Sequence, residues 1–349
     1  MKKLSMVVVI MLLLGTLLSA CAAPQAAPQP VQAPGAEASQ ALPGEGEVYC
    51  VIGSLFQLEF FDALKGGVSD AAKEIGATWY YAGPQEFVPD QISQAIDQAV
   101  ANKVTGIILH GQAVETAAAV NNAIAAGIPV ICVNTDIPSD RLSFLGCNPY
   151  NAGYDMGKHM AKLIEGKSGT VLISSAISAG QPSALDNLRG SKDALAELAP
   201  NVKVVEVDDT ADANIAATNI GAALQANPDV VGIIGQQAYT AVGATTAVRE
   251  AGLTGKIQII GRDRDAATLE LIKSGELAAS YAQNSYVEGY IALKWLNEYV
   301  DGKLKVINDY LGGGVNPLPP TVDSGSVVIT KENADQFAEK YTYEVTAKN

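Results

Sequence analysis

The sequence predicts an α/β protein of two similar domains, each a parallel sheet covered by helices on both faces. Three observations carry that expectation. From residue 47 onward, short runs rich in Val and Ile alternate with amphipathic helices. The runs are apolar along their whole length, as strands with both sheet faces covered must be. One strand–helix–strand unit also occurs twice: Val104-Thr105-Gly106-Ile107-Ile108 leads to Ala126-Gly127 and Pro129–Val133, and Val230-Val231-Gly232-Ile233-Ile234 leads to Ala251-Gly252 and Ile257–Ile260. The length of 349 residues suits two domains of ~100–200 residues each.

The N-terminus reads as an address. Lys2 and Lys3 precede an almost wholly apolar stretch, Leu4 to Leu18, the pattern of a secretory signal. Leu18-Ser19-Ala20-Cys21 follows and resembles a bacterial lipobox, whose cysteine receives a diacylglycerol before cleavage on its N-terminal side. Residues 1–20 are expected to be the leader, and Cys21 the lipidation site. An ordinary signal peptide with Cys21 incidental, or a spanning helix, are the rival readings; the apolar run is shorter than the ~20 residues a span needs. Residues 21–46, rich in Ala, Pro, Gln and Gly, read as a flexible linker between lipid and folded part.

The expected strands are Val48–Gly53, Thr78–Tyr81, Gly106–Leu109, Pro129–Val133, Ser143–Gly146, Thr170–Ser174, Val202–Val207, Val230–Ile234, Ile257–Ile260 and Ala278–Tyr281. Between them lie helical spacings such as Leu64, Val68, Ala72, Ile75, or Leu185, Leu188, Leu195, Leu198. Cys50, Cys132 and Cys147 sit in strand-like runs and read as buried free thiols; a bridge between Cys132 and Cys147 is the alternative.

Composition limits function. There are 23 Lys+Arg against 37 Asp+Glu, a net charge of -14. Loss of the leader removes two lysines and no acids, which makes the chain more acidic still. Nucleic-acid affinity comes largely from Lys and Arg, so no nucleic-acid partner is expected. Two histidines and four cysteines without Cys-x-x-Cys or His-Glu-x-x-His give no metal site and no cofactor. Gly166-Lys167-Ser168 lacks the earlier glycine of a phosphate loop, since Ala161 stands there. No Gly-x-Ser-x-Gly elbow is present. An enzyme is therefore not expected. His159 reads as solvated, and Asp208, Asp209 and Asp212 as a solvated turn.

Open parallel sheets bind ligands beyond the carboxyl ends of their strands. Ser54, Phe56, Phe60 and Phe61 follow the first strand; His110 and Gln112, Asn134 and Asp136, Gln236 and Gln237, Arg262 and Asp263, and Gln283 follow later ones. Amides, carboxylates and hydroxyls beside aromatic rings suit a neutral polyhydroxylated ligand. Carboxylates accept from adjacent hydroxyls, and a ring packs on the C–H face of a sugar.

Several motifs occur in a telling order: Phe60-Phe61 before Leu64-Lys65-Gly66-Gly67; Ala126-Gly127-Ile128-Pro129-Val130; Asn148-Pro149-Tyr150-Asn151-Ala152-Gly153; Arg189-Gly190; Ile260-Gly261-Arg262-Asp263; and Ala282-Gln283. On these the chain resembles the ribose/galactose-binding family of periplasmic-type solute-binding proteins, the sugar-capturing part of ABC importers, over about Val48 to Phe337. The resemblance implies the type I periplasmic binding protein fold: two Rossmann-like lobes joined by three hinge strands and closing on ligand. It places 47–148 plus 284–312 in the N-terminal lobe and 149–283 plus 313–345 in the C-terminal lobe. A late strand, Val327–Thr330, and a helix near Lys331–Phe337 fall in the latter.

The resemblance also implies a site. Phe60 and Phe61 match ligand-stacking aromatics, with a core pair as the plainer alternative. Ser54 matches a contact, and Phe56 stands beside it. Asn134 stands where Asp is usual, and Asp136 could supply the missing carboxylate. Asn187 stands near a position often Arg, and Gln237 where Asn is common. Tyr239 walls the same side as Gln237; Asp263 matches the second lobe's carboxylate and Gln283 a hinge-side amide. Thr135, Asn187 and Ala211 depart from the pattern of ribose binders and put ribose itself in doubt. The expected function is a lipid-anchored extracytoplasmic receptor, acting as a monomer. It would capture a small sugar or polyol and deliver it to ABC permease subunits with a separate ATPase. A nucleoside-binding lipoprotein, or a sensor presenting a ligand to a membrane receptor, is the alternative.

Overall fold

The computed structural model describes residues 42–348 apart from 211, 305, 310 and 339. The leader, Cys21, linker residues 21–41 and Ala211 lie outside the described residues. Strands and helices are numbered in chain order. The strands of the first half are β1 (Val48–Ile52), β2 (Thr78–Ala82), β3 (Gly106–Leu109), β4 (Val130–Val133) and β5 (Ser143–Gly146). Those of the second half are β6 (Gly169–Ser175), β7 (Val202–Asp208), β8 (Val230–Gly235), β9 (Gln258–Arg262) and β10 (Ala279–Gln283). Two short strands, β11 (Thr321–Asp323) and β12 (Ser326–Ile329), come last. The helices are α1 (Asp62–Ile75), α2 (Pro89–Ala101), α3 (Ala117–Ala125), α4 (Pro149–Leu163), α5 (Pro182–Leu198), α6 (Ala213–Ala226), α7 (Ala238–Glu250), α8 (Ala266–Ser274), α9 (Ser285–Val300) and α10 (Ala334–Phe337).

The strands form two six-stranded sheets, in the orders β11-β5-β4-β3-β1-β2 and β12-β10-β9-β8-β6-β7. Position by position the orders correspond, and the repeated unit of the sequence occupies β3–α3–β4 in one sheet and β8–α7–β9 in the other. This is the type I periplasmic binding protein fold. Alternation along each strand explains the layers. Tyr49 and Val51 enter one buried cluster and Cys50 and Ile52 another, on opposite faces of the first sheet. Leu172 lies in one cluster of the second lobe, and Val171 and Ile173 in the other.

The chain passes between lobes after β5, after β10 and between β11 and β12. The sequence expectation returned it to the second lobe at residue 313. Instead β11 extends the first sheet beside β5, Val322 opposite Leu145, and the passage comes at Ser324-Gly325. A three-residue strand after Pro319-Pro320 carries no periodic signal, so it was not legible. Two further boundaries differ. Residues 42–46 are packed rather than linker: Gly44 is buried and its amide donates to the Ile75 carbonyl at 2.7 Å. Residues 341–347, assigned above in part to the second lobe, lie against α1 and β2 of the first. Among the described residues no helix is long and apolar enough to cross a membrane.

Candidate functional site

The cleft is built from matching strand ends. Asn134 after β4 and Asp263 at the end of β9 both take left-handed backbone angles, φ of 67° and 66°. Asn and Asp tolerate that region better than most side chains. Each amide donates to the next strand, Asn134 to Leu145 at 2.8 Å and Asp263 to Tyr281 at 3.0 Å. The turn at each strand end is thereby held in the same way in both lobes.

Phe60, Asp263 and Gln283 line one cavity of about 540 Å³. Glu59 and Asp62 face it from the first lobe, and Asp265, Glu270 and Arg264 from the second. Acids outnumber bases on this lining, which opposes an anionic ligand. Burial raises the Asp263 carboxyl above the ordinary carboxylate range, while Arg262 pulls it down. Asn187, on α5, is fully buried, and neither side-chain atom has a hydrogen-bond partner. Gln236, at the end of β8, donates to Ser191 Oγ at 3.0 Å, and its Oε1 is unpartnered. Buried amides of this kind cost free energy until something bonds them.

The expected residues divide. Ser54 is buried just beyond β1. The Asn134 side chain donates to Gln283 Oε1 and to Ser285 Oγ, the latter at 3.3 Å, binding the β4 end to the passage after β10. Gln237 is half-buried and precedes α7. Of the Phe pair, Phe60 faces the cavity. Phe61 is 1% exposed and belongs to the first lobe's core, its ring 4.9 Å from His110. Phe56 leans on Tyr81 at 5.8 Å and does not line that cavity. Asp136 is the clearest correction. Arg141 Nε and Nη2 bind its two oxygens, and Ile137 N donates to Oδ1 at 2.9 Å. That carboxylate is already held by a guanidinium and cannot stand in for the charge Asn134 lacks.

Sequence reasoning missed three groups. Asp209 is not in a solvated turn but fully buried, accepting from Ser174 at 3.1 Å, Thr240 at 2.8 Å and Tyr239 at 3.4 Å. It fixes the strand ends beneath Gln236 and Gln237. Asp208 instead accepts from the backbone amides of Thr210 and of Ser178 just beyond β6, and Asp212 caps the first amides of α6. His159 is not simply solvated either: its Nδ1 lies 2.9 Å from the Tyr281 hydroxyl. Glu288 on α9 is fully buried under the passages between lobes, with Ser324 Oγ donating to Oε1 at 2.7 Å. Burial pushes its carboxyl up to about 7. His110, buried against Phe60 and Phe61, is pushed down to about 4 by burial and stays neutral. Cys50, Cys132 and Cys147 are free and buried.

Two like lobes with a cleft lined from both sides define a protein that clasps a small molecule between domains. A model of the periplasmic binding protein domain matches residues 49–304, and the chain belongs to that family. The solved structure of a sugar-binding protein of a sugar ABC transporter from Bacillus halodurans aligns with a TM-score of 0.78 at 30% identity, over 83% of this chain and 99% of that one. An arabinose-binding protein from Geobacillus stearothermophilus gives 0.77 at 27%, over 83% and 99%. The D-allose-binding periplasmic protein of Escherichia coli is 27% identical over 70% of this chain and 82% of its own length. The chain is a binding protein of transporter type and not an enzyme.

Proposed function

We propose that the protein captures a small neutral sugar or polyol outside the cytoplasm and hands it to an ABC permease driven by a separate ATPase. The observation that carries this is the cleft lining. An aromatic ring at Phe60, a carboxylate at Asp263 and the Gln283 amide line the cavity, drawn from both lobes, and a further amide at Asn187 on α5 is buried and unbonded. The carboxylate accepts from hydroxyls, the amides both donate and accept, and the ring packs on C–H groups. Contacts from both lobes give the ligand higher affinity for the closed state, which is what drives closure. The sugars named for the relatives support the same class. Lipidation at Cys21 would hold this receptor at the membrane on the linker. No nucleic acid takes part, and the receptor acts as a monomer.

The test is a thermal-shift and calorimetry panel on protein stripped of ligand by mild denaturation. It holds D-arabinose, D-xylose, D-allose, xylitol, adenosine and arabinose 5-phosphate. A shift with one or more of the neutral sugars or xylitol is expected. A response to adenosine alone would replace this reading with nucleoside capture, and a preference for the phosphate would overturn neutrality. Labelling with a palmitate analogue, lost in Cys21→Ser, tests the anchor.

A further inference from the structure

We propose that residues 341–347 form a strap that ties the two lobes together and walls one side of the ligand cleft, so that its attachment sets how far the lobes open. The inference rests on the cleft being the ligand site. Its footing begins in the second lobe, where α10 is anchored. Ala334 is fully buried in that lobe's core, Phe337 packs against it, and Asp335 lies 3.0 Å from Lys273 of α8. The chain then arrives on the first lobe. Tyr341 stacks on Tyr286 of α9, centroids 5.7 Å apart and planes 24° apart, and rests over Gly66 of α1. Tyr343 donates to Asp62 at 3.2 Å, and the Glu344 amide to Ser69 Oγ at 3.2 Å.

The end of the strap is hydrogen-bonded to both backbone groups of Trp79. The amides of Thr346 and Ala347 donate to the Trp79 carbonyl at 3.1 and 2.9 Å, and the Trp79 amide donates to Thr346 Oγ1 at 3.1 Å. Trp79 lies on β2, the outer strand of the first sheet. An uncovered edge exposes unpaired backbone groups, and the strap satisfies those of Trp79.

Tyr341 is the point gripped from both sides. Arg264, just after β9 in the second lobe, lies over its ring at 4.7 Å, while Tyr286 of the first lobe stacks against it. A cation over an aromatic face is attractive. Opening about the three passages must part Arg264 from Tyr341 or peel the strap from α1. Phe337, Lys340 and Tyr341 also line the cavity that holds Phe60 and Asp263. The strap lies wholly beyond the matched family domain, which ends at residue 304. It is a fourth connection between lobes, added to three.

The experiment places spin labels at Asp97→Cys on α2 and Glu250→Cys on α7 in the full chain, stripped of ligand. Distances are read by pulsed electron resonance before and after deletion of residues 341–349. The deletion should widen the distribution and raise the population of long distances several-fold. Deletion uncovers β2 and can cost folding, so Tyr341→Ala, which leaves the Trp79 pairing in place, is measured alongside and should shift the same way by less. Superimposable distributions for Tyr341→Ala and the intact chain, with the fold retained by circular dichroism, would overturn the strap. The readout needs no ligand, so a silent sugar panel would count against the sugar reading and leave this result standing.

Discussion

The two lobes are built on the same helix pair, and the places where they differ carry the function. Asn148-Pro149-Tyr150-Asn151-Ala152-Gly153-Tyr154 opens α4 in the second lobe, and Asn284-Ser285-Tyr286-Val287-Glu288-Gly289-Tyr290 opens α9 in the first. Each helix begins as the chain enters its lobe. Their partners match too: Gly190, Asp193 and Glu197 on α5, and Gly67, Asp70 and Glu74 on α1. Tyr150 donates to Asp193 at 3.0 Å and Tyr154 to Glu197 at 2.7 Å; Tyr286 donates to Asp70 at 2.6 Å and Tyr290 to Glu74. The repeated parts set helix spacing. The unlike parts, Ala152 against Glu288 and Asn134 against Asp263, sit at the hinge and the cleft.

The largest expected effect breaks the shared frame. A Cβ on Gly190 would stand 2.1 Å from the Tyr150 carbonyl oxygen, and one on Gly67 1.9 Å from that of Tyr286. Backbone cannot yield as a flexible side chain does, so the helices must part. Overpacking costs ~1–3 kcal/mol and sometimes more, and Gly67→Ala and Gly190→Ala should fall at or above the top of that range. Urea unfolding measures both. If the lobes are equivalent the two losses are similar, and a wide gap between them would end the comparison.

Next comes Glu288, the buried acid that stands on α9 where α4 has Ala152. The Glu288 carboxyl is raised from 4.5 to about 7, mainly by burial and against the hydrogen bond from Ser324. The folded state holds its proton where the unfolded chain has lost it. Stability is therefore fully present below about 4.5 and declines as pH rises through about 7. The decline is at most ~3 kcal/mol, since each tenfold difference in proton affinity between the folded and unfolded chain is worth ~1.4 kcal/mol. Glu288→Gln should remove this slope and be more stable than the parent at pH 8. Urea midpoints at pH 5, 6, 7 and 8 decide it; parallel profiles for parent and variant would show that the carboxyl does not titrate in this window.

The third contrast lies at the matched strand ends. Asp263→Ala should weaken sugar binding by ~1.5–3 kcal/mol, the range for hydrogen bonds to a charged group. Asn134→Ala, which loses a neutral amide, should cost less, near ~1 kcal/mol. Calorimetry with the sugar that shifts the melt reads both. Equal losses would mean that the charge at Asp263 gives the second lobe no larger share of the ligand.

How much of this was legible follows from what periodicity records. Ten strands and the repeated β3–α3–β4 unit were plain, because each is a local apolar pattern. β11 was not, since Val322 is its one apolar residue and its partner, β5, is far away in the chain. Phe60 and Phe61 looked alike as neighbours, and only the turn into α1 sends one to the cleft and the other to the core. Asp209 looked solvated within Asp208-Asp209-Thr210. Its burial depends on Ser174 and Thr240, which reach it from another strand and a later helix. Asp136 read as free because nothing local shows that Arg141 will fold back onto it. The repeated tyrosines were present in the sequence all along, yet their meaning needs the opposite helix, since a tyrosine and an acid two elements away form no pattern along a single chain.

The smallest expected effect tests whether that repeated pairing stabilises the lobes or merely accompanies them. The four tyrosine–acid hydrogen bonds lie on solvent-exposed helix faces. Water competes there for both donor and acceptor, so each bond offers little net gain. Glu74 is also held by Lys294 at 2.7 Å, so losing the Tyr290 hydroxyl leaves it paired. Tyr154→Phe and Tyr290→Phe should therefore each leave the thermal midpoint nearly unchanged, with Tyr290→Phe the smaller because Lys294 remains. A clear drop for either would mean that the hydroxyls hold the helix register. In that case the glycine contacts alone would not account for the match between the lobes.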